Sequence, residues 1–390
     1  MPKVSFVGYK QQYHNLKNEI DRAMQSVLER GDLILRRDTD EFEKNLAEFV
    51  GAKYAIGLNS GTDALFFSLV ASGIGKGDEV ITASHTFVAS ISAIVQAGAT
   101  PVLVDVKEDF LADVDKIEKL ITDKTKAIIP VYLNGRMCDM EKLASIAKRY
   151  DVVIIEDAAQ ALGAKYKFHS QGKNSKSKWK IAGSIGLTGC FSFYPAKILG
   201  CFGDGGAITT NDFGVYEKVK LLRDHGQKTK TEILFYGWNS RLDNLQAAVL
   251  NVKVKYLGQW IERRRKIAKM YAMGLGDVKE IILPPAPDLD EVHYDVFQNY
   301  VLRAEKRDEL FSFLKNQQVE TLIKDPVPTH WQKGLSLSHF KLPFTEKLAK
   351  EVISLPMYPE LQDSEISYVI ECVSKFYKKY KNNGRLSFPI

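Results

Sequence analysis

From residue 54 to residue 156, short β-forming apolar runs alternate with stretches of helical periodicity, and this alternation limits the possible folds more than any other feature. The strand candidates are residues 54–58, 79–82, 100–104, 127–131 and 152–156, followed by 189–193 and 207–209. Residues 62–71, 87–96 and 140–149 read as the helices between them. Apolar strands separated by helices predict a mostly parallel sheet covered on both faces, an α/β architecture. Upstream, residues 16–28 and 40–50 carry apolar stripes at helical spacing. Residues 243–255 begin another helix, with Asp243 placed to cap it and Gln246 to complete a capping box. Beyond Leu257 the charge density rises, residues 263–275 read as helix, and Pro284-Pro285-Ala286-Pro287 interrupts the pattern. The expected division is a large domain over 1–255 and a smaller α+β domain over 256–390.

Of the 390 residues, 45% are hydrophobic, and no apolar run approaches the roughly 20 residues of a membrane span. The segment from Met1 to Phe6 lacks the pattern of a secretory signal, so a cytoplasmic setting is expected. Cys138, Cys190, Cys201 and Cys372 match no zinc or redox spacing, and the histidines form no ligand pair. Reduced structural thiols and no metal site are the expectation. A net charge of +6 does not call for nucleic acid and suits an anionic small substrate. Two basic clusters, within 165–180 and at Lys375, Lys378, Lys379 and Lys381, read as a solvated loop and a frayed end.

The chemistry concentrates around two positions. The run Val152-Val153-Ile154-Ile155 ends in Glu156-Asp157, and Lys197 follows forty residues after Asp157 in Phe193-Tyr194-Pro195-Ala196-Lys197. In an open α/β sheet, ligands bind outside the carboxyl ends of the strands. An acid there and a lysine on a later loop are the two groups that a pyridoxal phosphate enzyme needs. The lysine forms a Schiff base with the aldehyde, and the acid keeps the pyridine nitrogen protonated. Taken alone, Asp157 reads first as an acid capping the next helix. Gln160 can donate to the phenolic oxygen of such a cofactor or lie on the surface. Ser60-Gly61-Thr62 opens a helix after a strand, a place that favours phosphate but also an ordinary cap. Ser192 can add a hydroxyl to that phosphate. Phe87 can stack on a pyridine ring or fill the core. Gly203-Asp204-Gly205-Gly206 predicts a tight turn before the next strand.

These stretches together resemble the DegT/DnrJ/EryC1/StrS family of sugar aminotransferases. The likeness runs from Phe6–Tyr13 and Asp40-Glu41-Phe42-Glu43 through Ser60–Leu65, Gly77–Thr82, Pro130–Gly135 and Glu156–Gln160. It ends with Phe191–Gly206 and Asn239–Asp243. The resemblance implies a fold type I, aspartate aminotransferase-like enzyme that holds pyridoxal 5'-phosphate and works as a homodimer with shared active sites. By motif position, Lys197 looks like the Schiff-base lysine, Asp157 the pyridinium partner, Phe87 the stacking aromatic and Gln160 the partner of the ring oxygen. Gly61, Thr62 and Ser192 match the phosphate contacts, and Asn239 matches a residue reaching the phosphate from the other subunit. L-Glutamate is the implied donor and a nucleotide-linked keto sugar the implied acceptor, with neither nucleic acid nor membrane as partner. The segment 193–206 looks most like enzymes acting on 3-keto sugars, linked to dTDP or UDP. Surface-glycan or O-antigen synthesis is the implied setting.

Departures from the family pattern mark where the likeness weakens. Leu162 stands where histidine is common, and Lys324-Asp325-Pro326 replaces a His-Tyr-Pro pattern, which puts sugar contacts in question. The stretch 167–180 looks longer than usual and is expected as a surface excursion; a diphosphate contact by Lys173, Lys176 and Lys178 is the alternative. Arg223, His225 and Arg241 are diphosphate candidates that read equally as salt bridges or caps. A C4 sugar or cyclitol aminotransferase and a non-catalytic regulatory member are the rival functions. A nicotinamide dehydrogenase is set aside, because the first strand–helix turn lacks a Gly-x-Gly-x-x-Gly run.

Overall fold

The computed structural model of the protein describes residues 3–169 and 177–383. In chain order the strands are β1 Tyr54–Leu58, β2 Glu79–Ala83, β3 Thr100–Val104, β4 Thr125–Ile129, β5 Val153–Asp157, β6 Lys165–Phe168, β7 Lys178–Ile181, β8 Thr188–Ser192 and β9 Gly206–Thr210. Seven of them form one sheet in the order β1-β9-β8-β5-β4-β2-β3. The pairs β2–β3, β2–β4, β4–β5 and β5–β8 are parallel, and β9 lies antiparallel to both of its neighbours. The strands expected from sequence are all present, with ends shifted by up to two residues.

Alternation along the strands explains the layering, since successive side chains point to opposite faces. Ile56, Val80, Ile129, Ile155, Cys190 and Ile208 pack on one face against α3 (Gly61–Ala71), α4 (Ala89–Gln96) and the helix Phe213–Arg223. Ala55, Ile81, Ile128, Ile154, Phe191 and Ala207 pack on the other face, under α1 (Tyr9–Arg30), α2 (Arg37–Val50) and the helices Met140–Tyr150 and Asn244–Lys253. The labels α1 to α4 follow chain order. Helix α3 is buried from Ala64 through Leu69, so its first turn is held rigidly.

A second core surrounds a three-stranded sheet of Ile281–Ile282, Tyr300–Ala304 and Val352–Leu355, joined by Val4. The helix Leu257–Leu275 serves both cores: Leu257, Trp260 and Ile261 belong to the first, and Ile267, Ala268, Tyr271 and Leu275 to the second. Residue 255, where the division is expected, lies just ahead of this helix.

Three local readings need correction. Asp243 sits at the N-cap of Asn244–Lys253 without a side-chain cap bond. Gln246 instead bonds the Phe202 backbone, accepting at 2.8 Å and donating at 3.3 Å, because the loop after Lys197 offers both partners. The tail lysines lie not on a frayed end but on the helix Asp363–Asn383, where Lys375, Lys378 and Lys379 are exposed opposite buried Val373, Phe376 and Tyr377. The basic stretch 165–180 is not a plain loop: β6 and β7 pair with each other and β6 pairs with His293–Tyr294. Lys173 and Lys176 lie outside the described residues, and Lys178 is exposed.

The buried carboxylate of Glu156 ties β5 to the loop before β8. It accepts from the Tyr132 hydroxyl at 2.9 Å and from the backbone N–H groups of Gly183, Ile185 and Gly186 at 2.8, 2.7 and 2.6 Å. Removing it leaves three backbone N–H groups without their acceptor and the Tyr132 hydroxyl with only Met140 Sδ. Glu156→Ala is expected to lower stability by about 3–5 kcal/mol. Urea unfolding measures this, and an unshifted midpoint contradicts it.

Candidate active site

β1, β2, β5 and β8 run in one direction, so their carboxyl ends meet on one side of the sheet. Beyond them lies a cavity of about 580 Å³. Gly61, Thr62, Phe87, Asp157, Gln160, Ser192 and Lys197 all line it. The fold therefore brings together every proposed site residue except Asn239, which is exposed and absent from the cavity lining of its own chain.

The start of α3 forms one wall. Ser60 caps the helix by accepting from the Asp63 N–H at 3.1 Å, and Asp63 accepts in turn from the Ser240 hydroxyl at 2.6 Å. A Cβ on Gly61 would stand 2.8 Å from the Ser192 Cβ, and one on Gly206 would stand 2.3 Å from the Ser60 backbone. Only glycines let the ends of β1, β8 and β9 close to this distance, with Gly206 paired to both Leu58 and Ser192. The result is a narrow cradle at a helix N-terminus, where backbone N–H groups and the helix dipole favour an anion such as phosphate.

Lys197 projects from a loop fixed at several points. Its own N–H donates to the Tyr194 carbonyl at 2.8 Å. Gln298 clamps the loop from the far side, accepting from the Ile198 N–H at 2.8 Å and donating to the Ala196 carbonyl at 2.7 Å. Lys253 Nζ donates to the Gly200 carbonyl at 2.6 Å. Burial, reinforced by the like charge of Lys324 and opposed by Asp157, pushes the Lys197 amine down to about 8.

Asp157 is buried at the end of β5. Its carboxylate accepts from the Ser90 hydroxyl at 2.7 Å and from the Ala159 N–H at 3.3 Å. Burial raises its pKa, while Ser90, Ala159, Lys197 and Lys324 pull the other way. Gln160 spends its oxygen on the protein, accepting from the Asn134 N–H at 2.9 Å and from Asn299 Nδ2 at 3.3 Å. Its Nε2 is thereby oriented as the donor available to the cavity. Phe87 is 56% exposed and lines the cavity, so it is not a core aromatic.

Other candidates resolve structurally. Arg223 is buried, paired with Glu43 and donating to the Gly57 carbonyl at 2.9 Å. Arg241 pairs with Asp224 at 2.9 Å, and His225 occupies a positive-φ turn. Leu162 packs in the main core rather than facing the cavity. Sequence reasoning missed Ser90, Gln298 and Asn299. Ser90 lies one turn after Phe87 on the same helix start, which was a usable clue. Gln298 and Asn299 arrive through long-range packing of the second core and carry no local motif.

The family model for the DegT/DnrJ/EryC1/StrS aminotransferase family matches residues 14–374. The chain is 44% identical to a "dTDP-3-amino-3,6-dideoxy-alpha-D-galactopyranose transaminase" of Aneurinibacillus thermoaerophilus, over 96% of this chain and 99% of that one. It is 43% identical to a "Pleiotropic regulatory protein" of Geobacillus stearothermophilus, over 97% and 99%. Among solved structures, S. venezuelae DesV in complex with a ketimine intermediate superposes with a TM-score of 0.90 at 38% identity, covering 99% of this chain and 100% of that one. Pyridoxal phosphate fits the residues present. The glycine cradle suits its phosphate, Asp157 its ring nitrogen, Gln160 its phenolic oxygen and Lys197 its aldehyde.

An amine attacks an aldehyde only when unprotonated. With Lys197 at about 8, the rate at which the cofactor-free protein takes up pyridoxal phosphate should climb with pH and level off above about 8. Below that point the slope should be about tenfold per pH unit. Absorbance after rapid mixing follows the reaction. A rate still climbing at pH 10 contradicts the depressed amine.

Proposed function

The chain belongs to the DegT/DnrJ/EryC1/StrS aminotransferase family and is a pyridoxal phosphate-dependent aminotransferase, and we propose that it moves an amino group from L-glutamate to the C3 keto group of a dTDP- or UDP-linked keto-deoxy sugar. The observation that carries this reading is the meeting of Lys197, Asp157, Gln160 and the Gly61–Ser192 cradle in one cavity of about 580 Å³. That volume lies in the range of pockets that enclose small organic ligands. Support for C3 comes from the Aneurinibacillus relative, named for a 3-amino sugar, and from the likeness of 193–206 to enzymes of 3-keto sugars.

When bound, the cofactor supplies a pyridine ring that can hold an electron pair. Asp157 keeps a proton on the ring nitrogen through a charge-assisted bond. The first turn of α3 and Ser192 would hold the phosphate. Phe87, exposed to the cavity, would cover a ring face, and Gln160 Nε2 would donate to the ring oxygen. Lys197 Nζ, with its affinity for protons brought near neutrality, would take a proton from the reacting carbon of the amino donor and deliver it to the carbon contributed by the cofactor's aldehyde, the 1,3-proton shift that transamination requires. The Geobacillus relative's name points to regulation. A ligand sensor has no need of a depressed lysine beside a buried acid, so the catalytic reading is preferred. The enzyme is assigned to the cytoplasm and to surface-glycan synthesis, consistent with a nucleotide-sugar substrate.

We assign Asn239 to the active site of the other subunit of a homodimer. Lys197→Ala and Asn239→Ala chains, each impaired alone, should regain roughly a quarter of wild-type activity when refolded together in equal amounts, since half the dimers then hold one intact site. Absence of recovery in verified mixed dimers contradicts sharing.

The substrate assignment is checked by incubating the enzyme with glutamate and a panel of keto-sugar nucleotides, then locating the new amine by NMR. A C3-amino product is expected. Amination at C4 rejects the regiochemistry, and turnover of an inosose but of no sugar nucleotide selects a cyclitol enzyme.

A further inference from the structure

Lys324 is the feature of this cavity that the chemistry above does not use. It lines the cavity together with Asp157 and Lys197. Its electrostatic neighbours are Asp157 and Lys197 at the cofactor end, buried His85, and Asp325 beside it in sequence. Burial lowers its pKa, with Asp325 and Asp157 acting against that. Among the described residues it forms no hydrogen bond and no ion pair.

The neighbours are otherwise committed. Asp157 accepts from Ser90 and Ala159 and is reserved for the ring nitrogen. Burial pushes the His85 imidazole down to about 4, so at neutral pH it is uncharged and brings no second charge. Asp325 has its backbone at φ 53 and does not line the cavity. Lys324 is half-buried on the cavity wall without a bonded partner, and a carboxylate brought into contact there gains a charge-assisted hydrogen bond. The phosphate is provided for elsewhere, at the Gly61–Ser192 cradle.

Resting on the aminotransferase reading, we propose that Lys324 is the carboxylate-recognition residue of this active site. The carboxylate has two available sources: the amino donor, L-glutamate, and a hexuronate acceptor carrying its acid at C6. Both present the same chemistry, a planar anion that an ammonium can hold through a charge-assisted hydrogen bond.

The test separates the two half-reactions in Lys324→Gln and Lys324→Arg holoenzymes, whose cofactor absorbance first verifies an assembled site. The donor half is run with L-glutamate and with benzylamine, which has no carboxylate. The acceptor half is run on amine-loaded enzyme with a UDP-linked 3-keto hexuronate and with a neutral 3-keto hexose on the same nucleotide. The half-reaction that presents the carboxylate should slow roughly 10- to 150-fold in Lys324→Gln, and much of the rate should return in Lys324→Arg. Loss with glutamate but not benzylamine assigns the donor; loss with the hexuronate but not the neutral sugar assigns the acceptor. Equal loss with every sugar nucleotide, equal loss in both halves regardless of carboxylate, or no loss at all overturns the proposal. Wild-type enzyme that converts glutamate but no keto-sugar nucleotide refutes the acceptor reading separately and leaves the donor arm readable.

Discussion

A carboxylate withdrawn from water at the end of a central strand is the constraint on which this active site is built. Asp157 sits where β5 opens toward the cavity, and its burial is unfavourable unless hydrogen bonds and cations answer it. Ser90 and Ala159 supply the hydrogen bonds, and Lys197 and Lys324 supply the cations. The same low-polarity surroundings act oppositely on the acid and the amine. They raise Asp157 and lower Lys197, bringing both closer to the pH at which protons move. One desolvated crevice thus shifts in opposite directions the two groups proposed to meet the cofactor's ring nitrogen and its aldehyde.

Adjacent acids on β5 meet different ends through strand alternation alone. Glu156 points into the core, where it accepts from Tyr132 and from three N–H groups of the loop 183–186. Asp157, one residue on, points to the opposite face and the cavity. The first acid makes the strand end rigid, and the second uses that rigidity. Catalytic groups held this way lose little freedom on binding, which is where much of the advantage of a preorganised site arises.

Most of the large sheet was legible because its strands are short, apolar and separated by helices with clear periodicity. The site residues on strand ends and first helical turns were legible for the same reason: Asp157 and Ser192 end strands, and Gly61, Phe87 and Gln160 lie within four residues of a strand end. Phe87 was ambiguous, since exposure toward a cavity and burial in a core leave the same local pattern. The capping box at Asp243 and Gln246 failed because a tertiary partner, the Phe202 backbone, outcompeted the local bond. The tail helix was misread because its lysines lie on the face opposite Val373, Phe376 and Tyr377, a pattern hidden by the run of charge. Gln298 and Asn299 were invisible, being defined only by contacts about a hundred residues or more away in sequence, to Ile198 and to Gln160.

Those distant contacts explain why the second core matters to chemistry at the first. Arg264, buried on the helix that serves both cores, donates to the carbonyls of Phe297, Gln298 and Met357 at 3.2, 3.2 and 2.9 Å. It thereby fixes the segment whose next contact is the lysine loop, through Gln298 to Ala196 and Ile198. Lys253 holds the other end of that loop at Gly200. Gln298 and Asn299 both line the cavity, and Asn299 also reaches Gln160. A shift of the second core relative to the sheet would therefore move the backbone beneath Lys197 and the Gln160 amide in one displacement. The two cores need not exchange a single catalytic group for their packing to set the geometry of the reaction.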